Sequence, residues 1–264
     1  MTDLTGKDRL IVALDFPTHD QAYALVDKLD NVSFFKVGLE LFLAGDVLGF
    51  IRDLQQRRAK NGGVFVDLKL SGDIGNTITR FVEGCLALNV QFITIVESNP
   101  LAITVSTLKA ARLARGTARN PRLLMVPLFS SLDTEDLRQS GVARDATEYI
   151  VEQGAQMLTH GCDGLIVSGD AIGVCRQTFG RDIDIVSPGI RPAWAEVGDH
   201  KRHTTPAQAI RLGADYLVVG RPIATDRDPR AAAQRVIEEI DEALSDLDAG
   251  QESQPTERNH AQAG

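Results

Sequence analysis

The chain is poor in cysteine, and the few cysteines present form no recognisable framework. Its three cysteines, Cys85, Cys162 and Cys175, have no paired spacing, which argues against a disulfide scaffold and indicates a reducing compartment. The sequence shows no basic-plus-apolar signal at its N-terminus and no apolar run of membrane-spanning length. We therefore expect a cytoplasmic globular protein with no membrane partner.

An excess of positive charge is also missing. The chain has 28 lysines and arginines against 36 aspartates and glutamates, a formal net charge of −8. No basic stripe stands out along the sequence, and nucleic-acid-binding domains need one to neutralise phosphates. We therefore expect no nucleic-acid partner.

A third missing feature helps to decide the fold class. The turn after the first apolar run reads Asp15-Phe-Pro-Thr, so the glycine-rich fingerprint of a dinucleotide-binding, doubly wound sheet is lacking. Eight short apolar runs alternate with longer segments of helical spacing such as Asp20–Leu29, Glu40–Lys60, Ile74–Leu88 and Ala146–His160. The predicted strands are Arg9–Leu14, Ser33–Val37, Val64–Lys69, Gln91–Val96, Leu123–Phe129, Gly164–Ser168, Ile183–Ser187 and Tyr216–Gly220.

This count favours an α/β protein that is a single (β/α)8 TIM barrel over the doubly wound alternative. The nearly continuous apolar strands fit a parallel sheet that is buried on both faces. We expect the barrel to occupy residues 1–244. The polar segment 245–264, which has Gly and Pro but few apolar residues, is predicted to be a disordered C-terminal tail.

The segment Val64–Asp73 carries the strongest chemical signal. An apolar strand ends there with Asp67 and Lys69, and Asp73 follows. A strand's period of two places Asp67 and Lys69 on one face. An ammonium held between two acids stays protonated and can deliver its proton to a carbanion. An ordinary ion pair at a strand end is the alternative explanation.

The ends of the other predicted strands also carry polar groups. In a (β/α)8 barrel the active site lies at the C-terminal ends of the strands, which gathers Asp15, Lys36, the Ser130-Ser131 pair and Ser168 near Asp67 and Lys69. The loops after the last two strands often bind phosphate in this fold. Pro188 and Gly189 follow strand seven, and Gly220 and Arg221 follow strand eight, so we expect an anionic group there.

Six segments together resemble orotidine 5'-phosphate decarboxylases, and they occur in order from residue 9 to about residue 240. They are Leu10–Asp15, Phe35–Phe42, Val66–Lys69, Asp73–Thr77, Pro188–Pro192 and Val219–Pro222. The resemblance implies a homodimeric carboxy-lyase that converts orotidine 5'-phosphate to UMP and CO2 in de novo pyrimidine biosynthesis, without a metal or an organic cofactor.

By matching position, the resemblance implies a role for each of several residues. Lys69 would donate the proton to C6, with Asp67 as its neighbouring carboxylate. Asp73 and Thr77 would reach into the partner subunit's site. The substrate contacts would be Asp15 and Lys36 to ribose, Ser131 to the pyrimidine, and Arg221 with nearby backbone amides to phosphate.

The chain departs from the family's pattern at three places. Three residues, rather than two, separate Lys69 from Asp73, and Gly72 is expected to absorb the extra one as a bulge. His200 stands where the family has a phosphate-binding glutamine, which makes it a candidate phosphate ligand. The turn after strand four contains Glu97 in place of the family's histidine-containing sequence.

Two other functions are compatible with these residues. One is a metal-dependent sugar-phosphate decarboxylase or aldolase of the same superfamily. The other is a non-catalytic barrel that binds UMP.

Overall fold

The computed structural model describes residues 4–57, 63–72, 74–98, 101–195 and 202–252. Eight parallel strands pair in sequence order, and β8 pairs with β1, so the sheet closes into a barrel. The strands are β1 Leu10–Ala13, β2 Phe34–Gly38, β3 Gly63–Leu70, β4 Phe92–Val96, β5 Arg122–Val126, β6 Gly164–Ile166, β7 Asp184–Ser187 and β8 Tyr216–Val219. The predicted (β/α)8 barrel is confirmed, with its strands in the predicted order.

The helices alternate with the strands and cover the outside of the barrel, and α1 precedes β1. They are α1 Gly6–Arg9, α2 His19–Val26, α3 Leu39–Phe42, α4 Val47–Arg57, α5 Gly75–Ala87, α6 Leu101–Arg115, α7 Thr134–Gln139, α8 Ala146–Thr159, α9 Ala171–Phe179, α10 Pro206–Arg211, α11 Arg221–Ala224 and α12 Pro229–Glu252. No helix in these ranges is long and apolar enough to cross a membrane.

Local sequence signals explain where several helices begin. Asp145 accepts hydrogen bonds from the backbone N–H groups of Thr147 and Glu148 at the start of α8. Thr205 caps α10 in the same way, and Pro206 occupies the first helical position, where its missing N–H costs nothing. These caps satisfy N–H groups that have no partner within the helix.

The barrel interior is filled by aromatic side chains at its N-terminal end. Phe34, Phe65 and Phe92 come from three adjacent strands, and Tyr216 completes the group. The ring centroids of Phe92 and Tyr216 lie 5.0 Å apart, and those of Phe34 and Phe92 lie 5.3 Å apart. This plug closes the barrel below the site.

The strand period then determines which residues come next on the interior face. Two positions after the three phenylalanines stand Lys36, Asp67 and Thr94, all of which are buried. Residues i and i+2 of a strand point to the same side of the sheet. The layer above the aromatic plug is therefore polar on this side of the barrel.

Two predicted features differ from the structure. The predicted helix Glu40–Lys60 is divided into α3 and α4, because Gly45 has a φ of +133° and Asp46 accepts a hydrogen bond from the backbone N–H of Gly49. Only part of the predicted tail can be compared, since residues 253–264 lie outside the described ranges. Within the described part, α12 continues to Glu252, beyond the predicted start of disorder at residue 245.

Candidate active site

A cavity of about 590 Å³ opens at the C-terminal ends of the strands. Residues from the ends of β1, β2, β3, β5, β6, β7 and β8 line it. Its polar and charged lining consists of Asp15, Lys36, Asp67, Lys69, Ser130, Ser168, Arg191 and Arg221. Charged groups on one side and apolar residues from β5, β6 and β8 below them give a pocket for a partly polar small molecule.

Lys36 joins the first and third strands through two ion pairs. Its Nζ lies 2.9 Å from Oδ1 of Asp15 and 3.3 Å from Oδ2 of Asp67. Gly38 makes room for this arrangement, since a Cβ there would come within 3.2 Å of both the Lys36 Nζ and the Asp15 Oδ1. A larger residue than glycine at the end of β2 would therefore crowd this ion pair.

Asp67 is shared by two lysines. Nζ of Lys69 lies 3.0 Å from each carboxylate oxygen of Asp67, and Lys36 approaches Oδ2 from the other side. The hydroxyl of Thr94 donates a further hydrogen bond of 3.0 Å to Oδ1. Asp67 is only 9% exposed, so these partners replace the solvation that the buried carboxylate has lost.

The electrostatic environment keeps Asp67 and Lys36 charged despite their burial. Burial alone would raise the pKa of Asp67, but the charges of Lys36 and Lys69 and the hydrogen bonds from Lys69 and Thr94 lower that pKa overall. Burial would likewise lower the pKa of Lys36, yet the negative charges of Asp67 and Asp15 raise it overall. The result is an alternating sequence of charges, Asp15–Lys36–Asp67–Lys69.

Lys69 reaches its position through an irregular backbone. Its φ is +53°, which lies in the left-handed region that a lysine rarely adopts. The register between β3 and β4 shifts between Val66 and Leu70. The predicted pairing with Asp67 is present, although the backbone at Lys69 departs from the regular pleat of a strand. The left-handed residue is Lys69, whereas Gly72, expected to supply this freedom, has no positive φ.

The opposite wall of the cavity comes from the loops after β7 and β8. Pro188, Gly189, Gly220 and Arg221 all line it, as the sequence predicts, and Gly189 has a φ of +74°. Arg191 also lines this wall; it belongs to the segment Pro188–Pro192 identified in the sequence, which assigned it no role. Its position two residues after Gly189, in a turn that follows a strand, was the available signal.

Several predicted residues are placed elsewhere or cannot be compared. Ser130 lines the cavity, whereas its neighbour Ser131 is exposed and does not. Thr77, which the resemblance assigns to the partner subunit's site, lies exposed in the first turn of α5, outside this chain's cavity. Asp73 and His200 lie outside the described residues.

Thiol chemistry is disfavoured by the placement of the cysteines. Cys85, Cys162 and Cys175 are free and buried. Burial raises the pKa of Cys85 and Cys162 to about 12 and that of Cys175 to about 11. Since the thiolate is the nucleophile, these side chains behave as small apolar groups. Within the described ranges, no cluster of three or more His, Cys, Asp or Glu side chains could hold a metal ion.

A closed eight-stranded barrel with alternating acids and lysines at the C-terminal strand ends places the chain among the (β/α)8-barrel enzymes. Residues 8–236 match the model of the family described as "Orotidine 5'-phosphate decarboxylase / HUMPS family". The chain belongs to this family.

Individual relatives agree with the family match. The chain is 43% identical over 242 residues to the orotidine 5'-phosphate decarboxylase of Rhodopseudomonas palustris strain HaA2, covering 91% of this chain and 98% of that protein. It is 42% identical over 244 residues to the protein of the same name from Methylobacterium sp. strain 4-46, with 91% and 98% covered. The crystal structure of orotidine 5'-phosphate decarboxylase from Lactobacillus acidophilus superposes with a TM-score of 0.71 at 30% identity, covering 88% of this chain and 99% of that one.

Proposed function

We propose that this chain decarboxylates orotidine 5'-phosphate to UMP and CO2, a step of de novo pyrimidine biosynthesis. The observation that carries the proposal is the alternating Asp15–Lys36–Asp67–Lys69 array in the cavity wall, with its 3.0 Å contacts between Lys69 and Asp67. The family and the names of the relatives supply the substrate.

The reaction needs a fixed positive charge. The bond between C6 and the carboxylate carbon breaks, CO2 leaves, and the electron pair stays on C6 in an sp² orbital outside the ring's π-system. Resonance cannot delocalise that pair, so a preorganised cation must stabilise it. In this proposal the Lys69 ammonium does so and then transfers a proton from Nζ to C6, after which the amine regains a proton from solvent.

Asp67 has two effects on this lysine. Its carboxylate, whose pKa is lowered by Lys36 and Lys69 despite burial, remains ionised and so places a negative charge beside the Lys69 ammonium. It also fixes the Lys69 Nζ through two contacts of 3.0 Å, which reduces the reorganisation needed during the reaction. Asp73 of a second subunit would complete the array.

The remaining cavity residues are assigned to substrate binding. Asp15 and Lys36 would contact the ribose hydroxyls, and Arg221 with the backbone around Gly220, Pro188 and Gly189 would hold the phosphate. His200 would add a donor to that phosphate. The pyrimidine contact expected of Ser131 passes to Ser130, which lines the cavity. Phosphate binding far from C6 supplies energy that positions the reacting ring.

We further propose a cytoplasmic homodimer with composite sites. Large apolar side chains stand exposed after the C-terminal ends of β2 and β3, with Leu43 91% exposed and Ile74 62% exposed. Leu39 and Leu101 are exposed at the same end of the barrel. An apolar rim of this kind is what a second copy would cover, and Thr77 on α5 lies beside Ile74, in position to face a partner.

An assay of turnover in excess chelator tests the proposal against both alternatives. Wild-type protein incubated with orotidine 5'-phosphate should form UMP and CO2, and an excess of chelator should leave the rate unchanged. Loss of activity in chelator that a divalent metal restores would favour a metal-dependent sugar-phosphate enzyme. UMP binding without turnover would favour the non-catalytic barrel.

A further inference from the structure

We infer that Thr94 is a positioning residue, whose hydroxyl holds the Asp67 carboxylate and the Lys69 backbone in the geometry of the charged array. The geometric part of this inference concerns the array itself, and only its kinetic consequence rests on the proposed function. Thr94 would act through Asp67 and Lys69 and not by contact with the substrate.

The hydroxyl of Thr94 connects two parts of β3. Thr94 lies in the middle of β4 and is 0% exposed. Its Oγ1 donates a hydrogen bond of 3.0 Å to Oδ1 of Asp67 and accepts one of 2.8 Å from the backbone N–H of Lys69. One hydroxyl therefore uses its single proton and a lone pair on two different groups.

The backbone of β3 needs such a partner at this point. The regular pairing of β3 with β4 is interrupted between Val66 and Leu70. A buried backbone N–H without a partner is costly, and the Thr94 hydroxyl takes the place of the missing ladder carbonyl for Lys69. This hydrogen bond holds Lys69 at its unfavourable φ of +53°.

Thr94 is separated from the cavity itself. It is absent from the described residues that line the cavity, whereas both of its partners line it. Lys69 can therefore lose its orientation when Thr94 is changed while the substrate contacts remain. This separation predicts an effect on kcat and little effect on KM.

An isosteric substitution isolates the hydroxyl. Thr94→Val keeps the shape of the side chain and removes both hydrogen bonds, and Thr94→Ser keeps the hydroxyl. We expect Thr94→Val to lower kcat roughly 10- to 100-fold, the range for a hydrogen bond to a charged group, with KM within about twofold. Thr94→Ser should recover most of kcat.

Carboxylate titration by NMR gives a readout that does not depend on activity. Loss of the Thr94 hydrogen bond should raise the pKa of Asp67 in Thr94→Val, and the acid limb of the pH–kcat profile should move to higher pH with it.

If the wild type shows no turnover, the proposed function fails while this titration still decides the role of Thr94. If Thr94→Val does not fold, Thr94→Ala takes its place, because the smaller side chain cannot clash.

Thr104→Val is the matched control. Thr104 is also a buried threonine, and its hydroxyl accepts a hydrogen bond of 2.8 Å from the backbone N–H of Ser98, outside the charged array. It should lose stability but keep the wild-type kcat and the wild-type titration of Asp67. An unchanged Asp67 titration in folded Thr94→Val, or equal effects in Thr94→Val and Thr104→Val, would overturn the inference.

Discussion

At the scale of single residues, the site combines groups that are each unfavourable alone. Lys36 and Asp67 are buried charges, and Lys69 has a strained backbone. An unpaired buried charge would cost several kcal/mol, but each of these groups has an opposite charge within about 3 Å. The array therefore depends on all its members, and removal of one partner leaves another buried and unpaired.

Arg221 is assigned to one group of the substrate, the phosphate, so its role can be tested by comparing substrates with and without that group. Arg221→Ala should reduce kcat/KM for orotidine 5'-phosphate by roughly 10- to 100-fold, since a charge-assisted pair with phosphate is lost. The phosphate-free nucleoside should be processed at nearly the wild-type rate. Steady-state kinetics on both substrates make the comparison.

Arg227→Ala, which removes an exposed arginine a few residues further along, is the control for net charge. It should change neither substrate's kinetics. Equal losses on the two substrates in Arg221→Ala would mean that Arg221 does not act through the phosphate.

The sequence predicts some residues of the site better than others, for physical reasons. Charged side chains at the ends of apolar strands, such as Asp67 and Lys36, stand out because burial of a charge needs a cause. Thr94 does not stand out, because a threonine within an apolar strand also fits ordinary β-propensity. The left-handed φ of Lys69 could not be predicted, since it arises from the interrupted pairing with β4 and not from local propensity.

At the scale of elements, the loops after β7 and β8 are connected on the outside of the barrel. Trp194, in the connection after β7, stacks against the Arg235 guanidinium of α12 at 3.9 Å from the ring centroid. Arg235 in turn lies 2.8 Å from a carboxylate oxygen of Asp226, which follows α11. The two loops assigned to the phosphate therefore share one arginine as a common support.

Trp194 is the only tryptophan in the chain and is 40% exposed, so its fluorescence reports on this connection. UMP binding should change the emission of the wild type. Arg235→Ala removes a cation–π contact of about 0.5–1 kcal/mol, and should alter the emission of the free protein and weaken UMP binding roughly two- to fivefold. A fluorescence titration measures both effects.

Arg230→Ala is a control on the same helix, because Arg230 forms its ion pair with Asp30, at 2.6 Å, whereas Arg235 is the arginine that stacks on Trp194. Its UMP affinity and its emission should equal those of the wild type. Wild-type UMP affinity in Arg235→Ala would show that the connection does not support the loops.

The order of the elements could be predicted from the sequence, whereas their lengths could be predicted only in part. The periodicity of the apolar residues predicted eight units, each of a strand and a helix. The division between α3 and α4 depends on Gly45, which the helical spacing of the surrounding segment masked. The extension of α12 to Glu252 runs against the polar composition there, since composition alone carries no information about a helix already nucleated upstream.

At the scale of the whole molecule, the end of the barrel opposite to the site carries a partly buried carboxyl whose contribution to stability depends on pH. Asp184 begins β7 there and lies 2.7 Å from the Arg122 guanidinium. Burial raises the pKa of Asp184 from the ordinary 3.8 to about 6, with Asp215 and Asp163 adding to the effect and Arg122 opposing it. A carboxyl with a raised pKa favours the folded state when protonated, so its contribution to stability decreases as the pH rises from about 4 to 6.

Asp184→Asn removes this titration. The unfolding free energy of the wild type minus that of Asp184→Asn should fall by roughly 2–3 kcal/mol between pH 4 and pH 6. Chemical denaturation at pH 4, 5, 6 and 7 measures the difference, and Asp182→Asn controls for the change in net charge. A difference that is flat or rises over this range would contradict the raised pKa.

The proposed homodimer gives a second prediction at this scale. Lys69→Ala and Asp73→Ala homodimers should each be nearly inactive if every site takes Lys69 from one subunit and Asp73 from the other. Mixing equal amounts after dissociation should restore about a quarter of the wild-type sites, since half of the dimers are mixed and each has one intact site. No recovery, with mixed dimers verified by mass, would assign Asp73 to its own subunit's site or to no catalytic role.

The central claim is that the Lys69 ammonium stabilises and protonates the carbanion, and the turnover of Lys69→Ala tests it most directly. UMP formation from orotidine 5'-phosphate should be compared among the wild type, Lys69→Ala and Lys109→Ala, in which an exposed lysine on α6 is removed. We predict a loss of at least about 10³-fold in kcat for folded Lys69→Ala and wild-type turnover for Lys109→Ala. Near wild-type turnover by folded Lys69→Ala would contradict the account.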